Sequence, residues 1–186
     1  MNILPRQKTV YTCGAACLAA VAKLLCYDTK LHSERIIADL CGALPGYGID
    51  NDIMHDYALS HFGEHYLGLA DGNEIPDGSI WNIHNPISGI GHYVVVISHN
   101  DYSVRFYCPY FANTLELPWH KIIWESGDGA YKRWALKFKL QLPKDAIFVG
   151  EDWPEMGLGY GEPNPHWLIR SMNRFLASNC CKENKE

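Results

Sequence analysis

The hydrophobic period changes once along this chain, and that change limits its architecture more than any other feature. Up to Gly63 the apolar residues recur at three- and four-residue steps. From Gly78 onward they alternate or run together with β-branched and aromatic neighbours. Thr12 can cap a helix that starts at Cys13, with Cys17, Leu18, Val21, Leu24 and Leu25 on one buried face. A second helix is predicted after Ser33, where Ile36, Ile37, Leu40 and Cys41 share a face and Gly42 ends it. "IMHDYALSHFG" reads as a third helix stopped by Gly63. "GSIWNI" and "GHYVVVISHN" are strand-like, and "NDYSVRFYCP" follows a polar turn at Asn100 and Asp101, as in a hairpin. "LPWHKIIWES" reads as a short helix and "YKRWALKFKLQL" as an alternating strand. Helices first and strands second predict an α+β fold, N-terminal helices packed on an antiparallel sheet.

A length of 186 residues with 47% hydrophobic side chains suits one domain with a sizeable core. Residues 1–142 carry the regular patterns and are expected to form that domain. Residues 143–186 read as an irregular extension packed on it. Its aromatics Trp153, Tyr160 and Trp167 would cover the core or form a substrate-binding flap, "HWLIRSMNRFLA" would form a last helix, and "CCKENKE" would fray. Sixteen basic against 21 acidic residues give a net charge of −5, so the chain has no overall pull toward nucleic acid or anionic membrane. The one basic group, Lys132, Arg133, Lys137 and Lys139, alternates with Trp134, Leu136, Phe138 and Leu140, as on a solvated strand face. No apolar run approaches the ~20 residues of a membrane span. "MNILPRQKTV" has none of the marks of a signal peptide. The seven cysteines are irregularly spaced without a CxxC pair, which argues against a zinc site and for a reducing, cytoplasmic setting.

The chemistry concentrates at "QKTVYTCGAACLAAVAKLL". A helix N-terminus favours a thiolate, because its unpaired N–H groups and dipole stabilise negative charge, and Cys13 stands at such a start. Gly14 would admit a substrate closely, and Ala15 and Ala16 would keep the first turn open. Gln7 could turn back and donate its amide N–H to a developing oxyanion beside the backbone N–H of Cys13. The alternative is an ordinary buried, inert cysteine. A nucleophilic thiol needs a base, and His92 in "GIGHYVVV" heads a strand after a glycine-flanked turn. His55, His61, His65 and His84 lie in less specific settings.

Together, "Q-x5-C-G-A-A-C-L" and the downstream "G-H-Y-V-V-V" resemble the papain-like cysteine peptidases that process bacteriocin leader peptides at a double glycine, and their free-standing relatives. More distantly they resemble phytochelatin synthases. The resemblance covers roughly residues 1–142. It implies a papain-like fold with Cys13 as nucleophile, His92 as its proton shuttle and Gln7 in the oxyanion hole. The chain departs from the family where an Asp-Pro pair usually orients the imidazole: Cys108 precedes Pro109 in "FYCPYF". Either Cys13 and His92 act as a pair, or a residue such as Asn113 or Asp101 substitutes, or the fold has outlived its activity. The expected function is a thiol-dependent hydrolase acting on a peptide or isopeptide-like amide of a peptide or protein substrate. It needs no metal or organic cofactor. A deamidase or acyltransferase on the same site, and a catalytically silent peptide-binding module, are the alternatives.

Overall fold

A computed structural model describes residues 2–70, 76–84, 91–122 and 134–151. In chain order these form strand β1 (Asn2–Leu4), helices α1 (Cys13–Leu24), α2 (Glu34–Leu40) and α3 (Asn51–Phe62), then β2 (Tyr66–Ala70), β3 (Ile80–His84), β4 (Gly91–His99), β5 (Ser103–Cys108), β6 (Asn113–Pro118), β7 (Ala135–Phe138) and β8 (Phe148–Gly150). The strands make one eight-stranded sheet, ordered β1-β8-β6-β5-β4-β3-β7-β2. The molecule is α+β, with helices first and most of the sheet after them.

The predicted antiparallel sheet is mixed instead. β1 and β8 run parallel at one edge, and the other pairs are antiparallel. A parallel pair needs a long connection, and these two strands come from opposite ends of the described chain. β8 lies past Leu142, inside the stretch expected to be irregular. Thr114 fastens it, accepting the Phe148 N–H at 2.8 Å and reaching Phe148 O at 3.0 Å. Residues 152–186 of that extension, with Trp153, Tyr160, Trp167 and the terminal cysteines, lie outside the described residues, as do Lys132 and Arg133. Half-buried Lys137 on β7 and exposed Lys139 just past it alternate with buried Leu136 and Phe138.

"LPWHKIIWES" departs from its helical reading. Leu117 and Pro118 end β6, and only Trp119–Lys121 form a 3-10 turn before the described residues stop at Ile122. β6 is half-buried along its length and lacks the alternation that flags a strand.

α1 lies against β4 and α2. Its residues Cys13 to Ala22 are all buried, more than one amphipathic stripe provides, because the helix is covered on several sides. Deleting the side chain of fully buried Leu18 would cost about 2–5 kcal/mol. α2 starts where Ser33 caps it, its hydroxyl accepting the Ile36 N–H at 3.4 Å. The buried face of α2 is Glu34, Ile37 and Cys41, whereas Ile36 and Leu40 are exposed.

The sheet separates two apolar layers. Tyr93, Val95, Ile97 and Tyr107 join Cys13, Cys17, Leu18 and the other helical residues on one face. Val94, Val96, Phe106 and Cys108 join Trp81 and Tyr110 on the other. Successive strand residues point to opposite faces, so His92 shares the second face with Val94 and Val96.

Candidate active site

β4 and β5 pair from Val95 opposite Tyr107, so the first residues of β4 extend beyond that ladder. The chemistry gathers at this end. α1 begins there with Cys13, β4 brings His92, the end of β5 brings Cys108, and the segment after β1 brings Gln7, whose N–H donates to Pro109 O at 3.2 Å.

Cys13 is 8% exposed. Burial pushes its pKa up, and the backbone N–H groups of Tyr93, Gly14 and Cys13 itself, all facing the sulfur, pull it down. The net direction is upward, which corrects the expected helix-start thiolate. The dipole favours the anion, but desolvation in this packed junction outweighs it. Thr12 is the residue before the helix, yet its hydroxyl does not cap α1. It turns back to Thr9, accepting the Thr9 N–H at 3.2 Å. The first-turn N–H groups are thereby left to face the thiol rather than a capping side chain.

Gly14 lies in a tightly packed contact. A Cβ there would stand 2.9 Å from Met54 Sδ and 3.2 Å from Tyr93 Cδ2, so glycine lets α1 and α3 close on β4. Ala15 and Ala16 are fully buried in the same contact. The Tyr93 hydroxyl lies 2.9 Å from Ile49 O and 2.7 Å from Asn51 Oδ1, tying the residue after His92 to the start of α3.

The His92 ring meets Cys108: Nε2 lies 3.2 Å from Cys108 Sγ. The backbone N–H groups of Phe111 and Tyr110 also face that sulfur, as donors face a side-chain oxygen in an Asx-type turn. Burial nevertheless pushes the Cys108 thiol up to about 12, the two N–H groups pulling down against it. Burial lowers the His92 pKa to about 4, although part of the residue reaches solvent. Both properties leave a neutral thiol beside a neutral imidazole near pH 7. No hydrogen bond joins the Cys13 thiol to His92; the two meet through the backbone, since Tyr93 N–H faces Cys13 and His92 is the preceding residue.

Gln7 is 1% exposed. Its Nε2 donates to Thr9 O at 2.7 Å, and its Oε1 is buried with no partner among the described residues. Neither proposed substitute for the orienting acid reaches His92. Asp101 is exposed past the far end of β4, roughly 23 Å away along the strand. Asn113 is exposed and its Oδ1 accepts the Thr114 N–H at 2.8 Å. His32, His61 and His65 stand apart: His32 and His61 lie in an aromatic cluster with Tyr57 and Phe62, and His65 bonds Tyr27, whereas His84 ends β3 with its backbone paired to Gly91, next to His92.

Sequence reasoning passed over three groups that shape the site: Tyr93 N–H and the N–H groups of Tyr110 and Phe111. The sole signal is the X-Pro-x-x turn at Cys108, because backbone donors carry no residue-type signature. Among the described residues, no cluster of three or more metal-ligating side chains occurs, and no helix is long and apolar enough to cross a membrane. No protein-family model matches the chain, and no curated protein does.

Proposed function

We propose that the chain is a thiol-dependent hydrolase of papain-like fold, cleaving a peptide or isopeptide-like amide. His92 takes the Cys13 proton as the sulfur attacks the carbonyl carbon. The oxyanion forms beside the Cys13 N–H and the Gln7 amide. The C–N bond breaks as His92 returns the proton to the leaving amine. Water then hydrolyses the thioester, with His92 again moving the proton. An amine in place of water would make the same site an acyltransferase, and a side-chain amide substrate would make it a deamidase.

The observation that carries this reading is the junction itself. Cys13, at an uncapped helix start, has its sulfur against the N–H of the residue following His92, and the His92 ring is held at 3.2 Å by a second buried thiol. With a raised thiol pKa and a lowered imidazole pKa, proton transfer accompanies attack rather than preceding it. The second reading is a silent peptide-binding module. It is favoured by the burial of Cys13 and by the Gln7 amide being engaged with Thr9.

Intact-mass labelling with iodoacetamide between pH 6 and pH 9, for wild type and His92→Ala, separates the two. The hydrolase reading expects Cys13 to alkylate faster than the other buried thiols, and expects His92→Ala to slow it. Cys13 labelling no faster than Cys17 or Cys41, with or without His92, would leave the binding module.

A further inference from the structure

Glu34 is a buried carboxylate that the proposed chemistry does not use. It opens α2, and 5% of it reaches solvent. A charged group is rarely buried without a partner. Its Oε1 accepts the backbone N–H of Lys8 at 3.0 Å. The preceding N–H, that of Gln7, donates instead to Pro109 O at 3.2 Å. Two successive N–H groups are thus pinned to separate parts of the fold, one to α2 and one to the turn after β5. Peptide units are planar, so fixing the units on either side of Gln7 fixes its φ and ψ and the direction in which its side chain leaves the backbone. The far end of that side chain is tied to Thr9 O at 2.7 Å.

We propose that Glu34 is a positioning residue for the oxyanion site: it holds Gln7 where its amide can meet the developing charge. The inference rests on the hydrolase reading of Gln7. Glu34 touches no reacting atom and acts only through the Lys8 N–H. A carboxylate suits this task because a charge-assisted acceptor at the first turn of α2 also meets the favourable end of that helix.

The test compares Glu34→Ala and Glu34→Gln by steady-state kinetics, by Cys13 alkylation and by amide hydrogen exchange at Gln7 and Lys8. Glu34→Ala is expected to lower kcat about tenfold, a fraction of what losing an oxyanion donor costs, with KM within about twofold. Glu34→Gln keeps an oxygen at the same reach and is expected within about threefold of wild type. Cys13 alkylation stays unchanged in both, because no oxyanion forms in that reaction. Exchange protection at both Gln7 and Lys8 is lost in Glu34→Ala and kept in Glu34→Gln. A folded Glu34→Ala that keeps Gln7 protected overturns the proposal, as does equal damage from the two substitutions. Should wild type show no Cys13-dependent turnover, the hydrolase reading fails, and exchange at Gln7 still decides whether Glu34 positions it.

Discussion

Cys13 and Cys108 are both buried, both have burial-raised pKa values, and backbone N–H groups face both. They differ in where the fold puts them. Cys13 belongs to the helical face of the sheet and Cys108 to the opposite face, with the start of β4 between them. Cys108 holds the His92 ring directly, while Cys13 meets the backbone beside it. Only Cys13 stands at a helix start. Equal burial and equal pKa direction therefore assign no roles. On the proposed hydrolase reading the surrounding donors do: the N–H groups at the start of α1 suit an attacking sulfur, and those near Cys108 suit a fixed acceptor.

The strongest way to break this comparison is to remove each sulfur. Cys13→Ala is expected to lower thiol-dependent turnover by at least about a thousandfold, as loss of a nucleophile does. Cys108→Ala leaves the His92 Nε2 and two backbone N–H groups without their acceptor, so about 1–3 kcal/mol of stability should go with it. Its turnover should fall about tenfold to a hundredfold. Measuring kcat and urea unfolding for both variants checks this. If Cys108→Ala is as dead as Cys13→Ala while still folded, the division into an attacking sulfur and a fixed acceptor fails.

The histidine between them gives the next largest effect. Its folded pKa, about 4, lies below the ordinary 6.5 of an unfolded histidine. Between those values the unfolded chain takes a proton that the folded chain refuses. Stability contributed by neutral His92 is therefore full above pH 6.5 and is lost as pH falls toward about 4. From pH 7 to pH 5 the loss attributable to this residue approaches about 2 kcal/mol, less in proportion to the solvent the ring still meets. Urea unfolding of wild type and His92→Gln at the two pH values isolates the difference. His32, whose pKa is also lowered by burial, adds the same sign in both proteins and cancels. Identical pH dependence in the two would place His92 in water and remove its role as a neutral base.

The limits of the sequence show at the same two thiols. The start of α1 was legible because Thr12, Cys13 and the 3.6-residue period coincide, and β4 and β5 because long β-branched runs flank a polar turn. Cys108 was legible as a candidate because the resemblance assigns an orienting residue to that position. The raised pKa of Cys13 was not. Helix-dipole reasoning sees only the chain near the thiol, whereas its burial comes from the tertiary packing of α1, which brings Met54 and Tyr93 against the neighbouring Gly14. β1, β6 and β8 escaped for a related reason. β1 and β8 are short and made strands by partners distant in sequence, and β6, though it pairs with neighbouring β5, is half-buried without the alternation that flags a strand. Glu34 carried no sequence signal, since nothing local says that it meets the Lys8 N–H.

The smallest expected effect sharpens the comparison most, because it asks which proton lies between His92 and Cys108. A thiol with pKa near 12 keeps its hydrogen at neutral pH, and that hydrogen can point at His92 Nε2, 3.2 Å away. The ring then carries its own proton on Nδ1, and that nitrogen no longer accepts one from Cys13. In the other arrangement Nε2–H donates to the sulfur and Nδ1 is the base. A weakly accepting thiol divides the ring between the two states. Cys108→Asp would not, because a carboxylate only accepts and would hold the proton on Nε2. It would also meet the N–H groups of Tyr110 and Phe111, which offset part of its desolvation. The expected outcome is about a tenfold rise in kcat, with the melting temperature within a few degrees of wild type. An unchanged kcat with a large fall in melting temperature would mean that the new carboxyl stays neutral and strained, and that Cys108 is ordinary core. A rise in kcat that vanishes in the Cys108→Asp, His92→Gln double variant ties the gain to the imidazole, since two residues in contact should fail to add.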